Sequence, residues 1–238
     1  MAPFVSPAGY DRIKVVNSFN ELVTSTFGPR VNAICWSRTL TGNFDELAAS
    51  FGNEEEIVSL DNKTLSRLRP GLSTMGKAAA DTLLEDIHLL QGHGLSPGLE
   101  CVPRYQRDES SAVPTDVYSF HADRATVPAD TYLCSYNEVA TEGLRNDQAQ
   151  RRIDMPATRV KLLDLFRQEE DTGDFDAYLR ENCYDLHYAA LSEAIPFSFG
   201  IGNLWRIAVE YPGCPVAPCL HRAPATTTGQ LPRLLLIS

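Results

Sequence analysis

Short β-type segments are concentrated in the second half of the chain, and this clustering most constrains the fold. Six runs rich in β-branched, aromatic or aliphatic residues follow residue 98, and clusters of Pro, Gly and Asp separate them. Strands that cluster in this way favour an antiparallel sandwich or barrel over repeated β-α-β units. The predicted strands after residue 98 are Leu99–Tyr105, Val117–His121, Thr131–Tyr136, Leu204–Tyr211, Val216–Arg222 and Leu231–Ile237. A further strand is predicted in the first half, at Val31–Trp36.

Helices are predicted mainly before residue 98. Ser18 and Asn43 each open a capping pattern followed by apolar residues at helical spacing, and a longer helix should follow Ser73. Two shorter helices are expected near Pro156 and Phe175, where they interrupt the series of strands. The sequence therefore predicts a fold that is mainly β with flanking helices, in the α+β class.

The chain is acidic, with 21 Lys and Arg residues against 31 Asp and Glu residues among 238, a formal charge of −10. This charge disfavours nucleic acids and anionic membranes as partners. No apolar run approaches the ~20 residues that span a bilayer, and the N-terminus lacks the features of a secretory signal. We expect a cytoplasmic protein that acts on a small molecule, with its six cysteines reduced and mostly buried.

The segment Phe120–Asp123 carries the sharpest chemical signal. His121 and Asp123 are two residues apart at the end of an aromatic strand, so both side chains would project from one side of an extended backbone. A histidine and a carboxylate in this arrangement can bind one metal ion. The alternative is a pair on the surface or at a helix cap.

A second signal lies near the C-terminus, where Arg233 interrupts an otherwise apolar strand. Arg233 is twelve positions after His221, an even difference, and we expect the two on one face of neighbouring antiparallel strands joined by a turn. A charge inside such a strand needs a partner, which is either a protein carboxylate or a carboxylate on a ligand.

Two histidines and one carboxylate occupy one face of a coordination sphere and leave three positions open, which suits non-haem Fe(II). The order of His121, Asp123 and a distant His221, with Arg233 twelve residues later, resembles the signature of the Fe(II)/2-oxoglutarate-dependent oxygenases. Three blocks are also similar to a family of small, functionally unassigned proteins with H-x-D, L-C-T-Y and H-R-S-P blocks; here they read Phe120–Asp123, Leu133–Tyr136 and His221–Pro224.

The resemblance covers roughly residues 100–238 and implies a double-stranded β-helix, or jelly roll. We expect one domain, in which residues 1–98 form an N-terminal α/β supporting layer. Residues 99–238 would form the jelly-roll core, with a helical insert at about residues 145–200.

The resemblance also implies the chemistry. The metal ligands and catalytic residues would be His121, Asp123 and His221, with Fe(II) as the metal. The reaction would use 2-oxoglutarate as co-substrate and O2, release succinate and CO2, and oxidise a small molecule such as an amino acid or a natural-product intermediate.

The same family pattern assigns the groups that bind the co-substrate. Arg233 would bind the distal carboxylate of 2-oxoglutarate, helped by a hydroxyl of Tyr132, Ser135 or Tyr136. Arg206 is a rival for this role because it also interrupts an apolar strand.

Three other interpretations stay open. The chain could be a cupin-like metal enzyme without 2-oxoglutarate, or a catalytically inactive jelly-roll binding module. A zinc site built on Cys214, Cys219 and His221 has no evident fourth ligand in the sequence. His187 is predicted to pack among aromatic residues rather than to bind a metal.

Overall fold

Two curled β-sheets flanked by helices form the fold in the computed structural model, which describes residues 4–51, 56–108, 111, 113–168, 173–227 and 229–238. The strands are β1 (Ile13–Val16), β2 (Ala33–Trp36), β3 (Val58–Ser59), β4 (Gly98–Val102), β5 (Phe120–His121), β6 (Asp130–Ser135), β7 (Glu142–Leu144), β8 (Ala149–Arg151), β9 (His187–Ala190), β10 (Phe197–Ser198), β11 (Leu204–Ala208), β12 (Leu220–Arg222) and β13 (Arg233–Ile237). The helices are α1 (Phe19–Thr24), α2 (Phe44–Ala49), α3 (Asn62–Leu68), α4 (Thr74–Gly92), α5 (Pro156–Gln168) and α6 (Phe175–Glu181).

The first sheet has the strand order β1-β2-β11-β6-β13-β4-β3, and the second has the order β10-β7-β12-β5-β9-β8. Only the pair β1–β2 is parallel among the strands of the described residues. The prediction of a mainly β fold with antiparallel strands and flanking helices is thereby confirmed.

Capping side chains begin the N-terminal helices where the sequence predicts them. The side chains of Ser18, Asn43 and Ser73 each accept a hydrogen bond from a backbone N–H in the first turn of α1, α2 and α4, respectively. Each bond satisfies a backbone donor that has no partner inside its helix. The sequence did not predict α3, whose N-cap is Asp61.

Alternation along the strands gives the first sheet two different faces. On β6, Tyr132 and Cys134 face a core shared with helices α1 to α4, and Leu133 faces the second sheet. On β11, Leu204 belongs to the helix side and Trp205 to the space between the sheets. The first sheet therefore separates a helical layer from an inter-sheet layer.

The prediction that His221 and Arg233 lie on neighbouring strands is wrong. His221 is on β12 in the second sheet, whereas Arg233 is on β13 in the first. The two strands belong to different sheets and do not form a hairpin. Both side chains line the cavity between the sheets instead of lying side by side on one sheet.

The segment at about 145–200 contains the two expected helices, α5 and α6, and it also contains strands β8, β9 and β10 of the second sheet. It is therefore part of the sheet as well as a helical insert. Within the described residues, no helix is both long and apolar enough to cross a lipid bilayer.

Candidate metal centre

A row of three histidines crosses the second sheet where β12, β5 and β9 lie side by side. His221 is paired directly with His121, and His121 is paired directly with His187. Directly opposed residues of antiparallel strands project from the same face. The ring centroids of His121 and His221 are 4.6 Å apart, and those of His121 and His187 are 5.7 Å apart.

Asp123 follows β5 by two residues and places a carboxylate beside two of these rings. Its Oδ1 atom lies 3.7 Å from Nε2 of His221 and 4.0 Å from Nε2 of His121. Donor atoms of the three residues all lie within 4.8 Å of one another, and the described residues contain no other such group of His, Cys, Asp or Glu side chains. The three residues that the sequence singles out as ligands are brought together, and His187 is not part of the group.

Two hydrogen bonds orient the donors of this group. Nδ1 of His121 lies 2.7 Å from the carbonyl oxygen of Ser119, which can only accept, so Nδ1 carries the proton and Nε2 offers its lone pair. The Thr131 hydroxyl donates to Oδ2 of Asp123 at 2.6 Å, which leaves Oδ1 to face the imidazoles.

The electrostatics of the group favour the forms that bind metals. Burial is the largest influence on His121 and, together with the neighbouring His221, lowers its pKa to about 4, so the ring is neutral near pH 7. Burial raises the pKa of Asp123, but His221, the Thr131 hydroxyl and His121 outweigh it, and the net pKa lies below its ordinary value. A neutral imidazole and an ionised carboxylate are the species that coordinate metal ions.

Arg233 lines the same cavity between the sheets, about 160 Å³ in volume, as His121, Asp123 and His221. Its Nη2 donates to the hydroxyls of Ser135 at 3.0 Å and Thr141 at 3.3 Å, while its buried Nε has no partner. Only 4% of the residue is exposed, and burial lowers its pKa. It forms no ion pair with any carboxylate in the described part of the chain. The site thus holds a buried cation with unused hydrogen-bonding capacity.

Two tyrosines predicted to help Arg233 lie on the other face of the first sheet. Tyr132 and Tyr136 belong to the core shared with the helices, and the Tyr136 hydroxyl donates to Asp86 at 2.6 Å. The physical reason is that successive side chains of a strand project from opposite faces of the sheet. Ser135 therefore lies on the face opposite to that of Tyr132 and Tyr136, and it is the residue that faces Arg233. Neither tyrosine can bind a ligand in this cavity, so we withdraw both from the co-substrate site.

Arg206 is also directed away from the cavity, so its proposed role as a rival co-substrate ligand is corrected. Its Nε donates to Asp130 at 2.7 Å, and its Nη1 donates to the carbonyl oxygens of Val23 and Ser25 at the end of α1, each at 2.9 Å. These contacts hold α1 against the first sheet. The guanidinium of Arg206 therefore has a structural role.

Sequence reasoning missed four residues around the site. The sequence does not indicate Thr131 and Thr141, because a single hydroxyl forms no motif. Tyr105 follows the end of β4 by three residues, and only the folded structure shows that it lines the same cavity as Arg233. Thr131 could have been predicted, because it is four positions from Ser135 on β6 and the two side chains therefore project from the same face of the sheet. The fourth residue is His187, and the sequence does not indicate its pairing with His121 on the neighbouring strand.

The zinc alternative finds no support in the placement of the cysteines. Cys219 is buried in the core between the sheets, and the thiol of Cys214 donates to the carbonyl oxygens of Val209 and Val216. All six cysteines are free, and four of them are buried. Neither Cys214 nor Cys219 joins the group of potential metal donors.

His121, Asp123 and His221 could hold a divalent metal ion, and Arg233 in the same cavity could bind an anion. Neighbouring donors around a six-coordinate ion with bonds of ~2.1 Å lie about 3 Å apart, so donors at 3.7 and 4.0 Å need to close by roughly 1 Å around the ion. Two imidazoles with one carboxylate suit Fe(II). The Arg233 guanidinium in the same cavity has hydroxyl partners but no carboxylate partner among the described residues, which suits a carboxylate at the far end of a small dicarboxylic acid.

Comparison of the chain with protein-family models, with curated proteins and with solved structures gives no significant match.

Proposed function

We propose that this chain is a non-haem Fe(II)- and 2-oxoglutarate-dependent oxygenase that oxidises a small molecule. The observation that carries the proposal is one cavity lined both by His121, Asp123 and His221 and by Arg233, a buried cation that has no carboxylate partner among the described residues. Burying an unpaired charge is costly, so an anionic ligand is the natural partner of this arginine. Metal donors and an anion-binding group in one small cavity are what a metal-bound dicarboxylate requires.

The two facing sheets support a jelly-roll core as part of the same proposal. All strand pairs apart from β1–β2 are antiparallel within the described residues, and the donors lie on the face of the second sheet that looks toward the first. The strands of the N-terminal layer, β1 and β2, join the first sheet next to β11, which supports one domain.

Each side chain has a defined task in this proposal. His121, Asp123 and His221 hold the metal, and Thr131 fixes the carboxylate so that one oxygen faces it. Arg233 orients 2-oxoglutarate through its distal carboxylate, and Ser135 and Thr141 orient Arg233. When bound, Fe(II), 2-oxoglutarate and O2 supply an oxidation in which the co-substrate becomes succinate and CO2 while a substrate C–H bond is hydroxylated.

The substrate is proposed to be a small molecule, with an amino acid or a natural-product intermediate as the class to test first. The cavities beside the metal donors have volumes of about 160 and 280 Å³. At ~30 Å³ per water molecule these hold roughly five and nine waters, which suits a co-substrate in one and a small substrate in the other.

Replacing Asp123 by Ala tests the metal centre. Wild-type protein mixed anaerobically with Fe(II) and 2-oxoglutarate should develop a weak absorption band in the middle of the visible spectrum. Asp123→Ala should lose this band and all iron-dependent succinate formation while keeping the wild-type circular dichroism spectrum. Full succinate formation by this variant would exclude the assignment.

Replacing Arg233 by Gln tests the co-substrate site, with Arg206→Gln as the matched control. Hydrogen bonds to charged groups contribute about 1.5–3 kcal/mol each, which is at least about a tenfold change in Kd. Arg233→Gln should therefore raise the Kd for 2-oxoglutarate at least about tenfold without reducing iron binding, and Arg206→Gln should leave that Kd unchanged. The reverse pattern would move the co-substrate to another site.

Two outcomes with wild-type protein distinguish the alternatives. Iron binding without 2-oxoglutarate binding would indicate a cupin-like metal enzyme. Binding of both without succinate formation, across a set of amino acids, would indicate a binding module. Either result would overturn the oxygenase proposal.

A further inference from the structure

The short segment that carries Asp123, residues 122–125, is hydrogen-bonded to chain that lies next to each of the two sheets. The backbone N–H of Ala122 donates to the carbonyl oxygen of Leu186 at 3.0 Å, directly before β9 of the second sheet. The backbone N–H of Glu210, which follows β11 of the first sheet, donates to the carbonyl oxygen of Asp123 at 2.8 Å. The position of Asp123 therefore depends on both sheets.

The side chain of Arg124 makes the same connection a second time. Its Nη2 atom donates to a carboxylate oxygen of Asp185 and, at 3.2 Å, to Oε1 of Glu210. Asp185 lies just before β9, and the backbones of Arg124 and Glu210 form an isolated β-bridge. One guanidinium nitrogen thus joins two carboxylates that lie next to different sheets, and it belongs to the residue that follows Asp123.

The burial of Asp185 shows that Arg124 is held firmly in this place. The Asp185 side chain is only 7% exposed, and its Oδ1 has no hydrogen-bond partner among the described residues. Arg151 donates to the backbone carbonyl oxygen of Asp185, but its Nη2 stays 3.9 Å from the carboxylate. A buried carboxylate that loses its cation is strongly destabilising. Arg124 is therefore the close counter-ion that Asp185 requires.

A metal centre here is sensitive to the position of this segment. Oδ1 of Asp123 lies 3.7 Å from Nε2 of His221 and 4.0 Å from Nε2 of His121, so a displacement of the segment by about 1 Å equals the whole closure that a shared ion requires. The bond from Thr131 fixes only the rotation of the carboxylate. The contacts of Arg124 restrain the segment itself.

We propose that Arg124 is a positioning residue for the metal centre. By joining Asp185 to Glu210, it holds Asp123 at the distance from the two histidines of the metal group at which all three side chains share one divalent ion. This role rests on the metal centre of the proposed function, and it requires neither 2-oxoglutarate nor an oxidation.

Removing the ion pair tests this role. Arg124→Gln is combined with Asp185→Asn, so that no buried carboxylate is left without a cation. The Kd for Co(II) should rise about tenfold, as is usual when contacts that orient metal ligands are lost. The visible absorption of bound Co(II) should also change, because it depends on the groups that coordinate the ion. Both are measured on the metal-free full chain in competition with a chelator and without 2-oxoglutarate.

A second buried ion pair provides the matched control. Arg38 and Asp86 have side chains that are 11% and 2% exposed, and Asp86 lies on α4, in the helical layer. Arg38→Gln combined with Asp86→Asn should lower the stability toward urea and leave the Kd and the spectrum of Co(II) unchanged. Arg69→Gln, which removes an exposed pair with Asp81, should leave both unchanged with little loss of stability.

Replacing Arg124 by Lys tests the bridge without removing the charge. Since a single nitrogen of Arg124 contacts both carboxylates, the compact ammonium group of a lysine can take its place. Arg124→Lys should bind Co(II) more tightly than the variant that lacks the pair, with an absorption spectrum closer to that of the wild type.

The positioning role would be refuted by a wild-type Kd in the variant without the pair, by an equal rise in the Arg38 and Asp86 control, or by an Arg124→Lys variant that binds no more tightly than the variant without the pair. A wild-type protein that bound no Co(II) would refute the metal centre, and this role with it. Tight Co(II) binding that depends on Arg124, without iron-dependent succinate formation, would support this role and refute only the oxygenase.

Discussion

At the scale of single residues, Asp123 shows how a loop residue becomes a defined donor. Its backbone carbonyl accepts from the N–H of Glu210 at 2.8 Å, and its Oδ2 accepts from Thr131. The backbone bond fixes the position of the residue and the side-chain bond fixes the rotation of the carboxylate. Orientation of ligands by such outer contacts commonly changes metal affinity by about 10–100-fold.

Replacing Thr131 by Val removes the hydroxyl that holds Asp123 while keeping the size and β-branching of the side chain. We expect the affinity for Fe(II) to fall about tenfold, at the lower end of the usual range, because the carboxylate remains close to the histidines. Titration with Co(II) under competition by a chelator measures this change. Thr131→Ser should restore the affinity, and an unchanged affinity in Thr131→Val would remove the orienting role.

The residue scale is where the sequence predicted most of the site. The sequence indicates His121, Asp123, His221 and Arg233, because rare residue types in an apolar or aromatic context give a recognisable pattern. The hydroxyls were assigned less well, since Ser135 faces Arg233 but Tyr136 does not. A sequence pattern identifies residue types, whereas the face of the sheet from which each side chain projects depends on the register between strands.

At the scale of elements, β7 supports β12 and thereby His221. Gly143 of β7 is paired with His221 on one side and with Phe197 of β10 on the other. A Cβ at position 143 would overlap the ring of Phe197 and would lie 2.6 Å from Cε1 of Phe199. Phe199 in turn stacks on Trp205 with ring centroids 4.2 Å apart. Only glycine leaves room for these rings beside the strand that carries His221.

Replacing Gly143 by Ala tests this support. We expect the free energy of unfolding to fall by about 1–3 kcal/mol, as is typical of overpacking, and Fe(II) binding to weaken because displaced rings shift the strand next to β12. Urea unfolding and Co(II) titration measure the two effects. Gly98→Ala is the matched control, since the nearest atom to its Cβ is a carbonyl oxygen at 3.9 Å, and it should lose less stability. Equal losses would contradict the argument.

The elements that the sequence predicted are those with a strong local signal. Side-chain caps at Ser18, Asn43 and Ser73 and the apolar spacing of α4 gave the helices. The strands missed were mostly short members of the second sheet, such as β7 with its sequence Glu-Gly-Leu and β10 with only two residues. Such segments carry no periodicity of their own, and pairing with neighbouring strands defines them.

At the scale of the whole molecule, the assignment of strands to sheets depends on contacts between distant parts of the chain. Residues of β2 pair with β11 more than 160 positions later, and β12 and β13 separate into different sheets although they are close in sequence. No local pattern carries this information. The fold class could be predicted from the sequence, because composition and the clustering of strands indicate which layers of secondary structure pack together. The assignment of β12 and β13 to different sheets could not be predicted.

The whole molecule should also lose stability in mild acid, because two histidines are buried in their neutral form. Burial is the main reason that the pKa of His121 and that of His187 are each lowered to about 4. The unfolded chain takes up protons at these residues below pH ~6.5, and the folded chain does so only near pH ~4. The free energy of unfolding of the metal-free protein should therefore fall between these pH values and change little above them. For His187 alone the loss is about 3 kcal/mol at most.

Urea unfolding at intervals between pH 7.5 and pH 4 in the presence of a chelator measures this loss. His187→Gln removes one of the two groups, so its stability should depend less on pH, by about 1.4 kcal/mol per pH unit where the histidine would titrate. His88→Gln, which removes an exposed histidine on α4, should keep the wild-type profile. Added Zn(II) should raise the stability most near pH 7 and less toward pH 4, since protons compete for the same imidazoles. A wild-type stability that stayed constant from pH 7 to pH 4 would show that both imidazoles accept protons in the folded state. It would contradict the argument that the histidines of the site are held in the neutral form that binds metals.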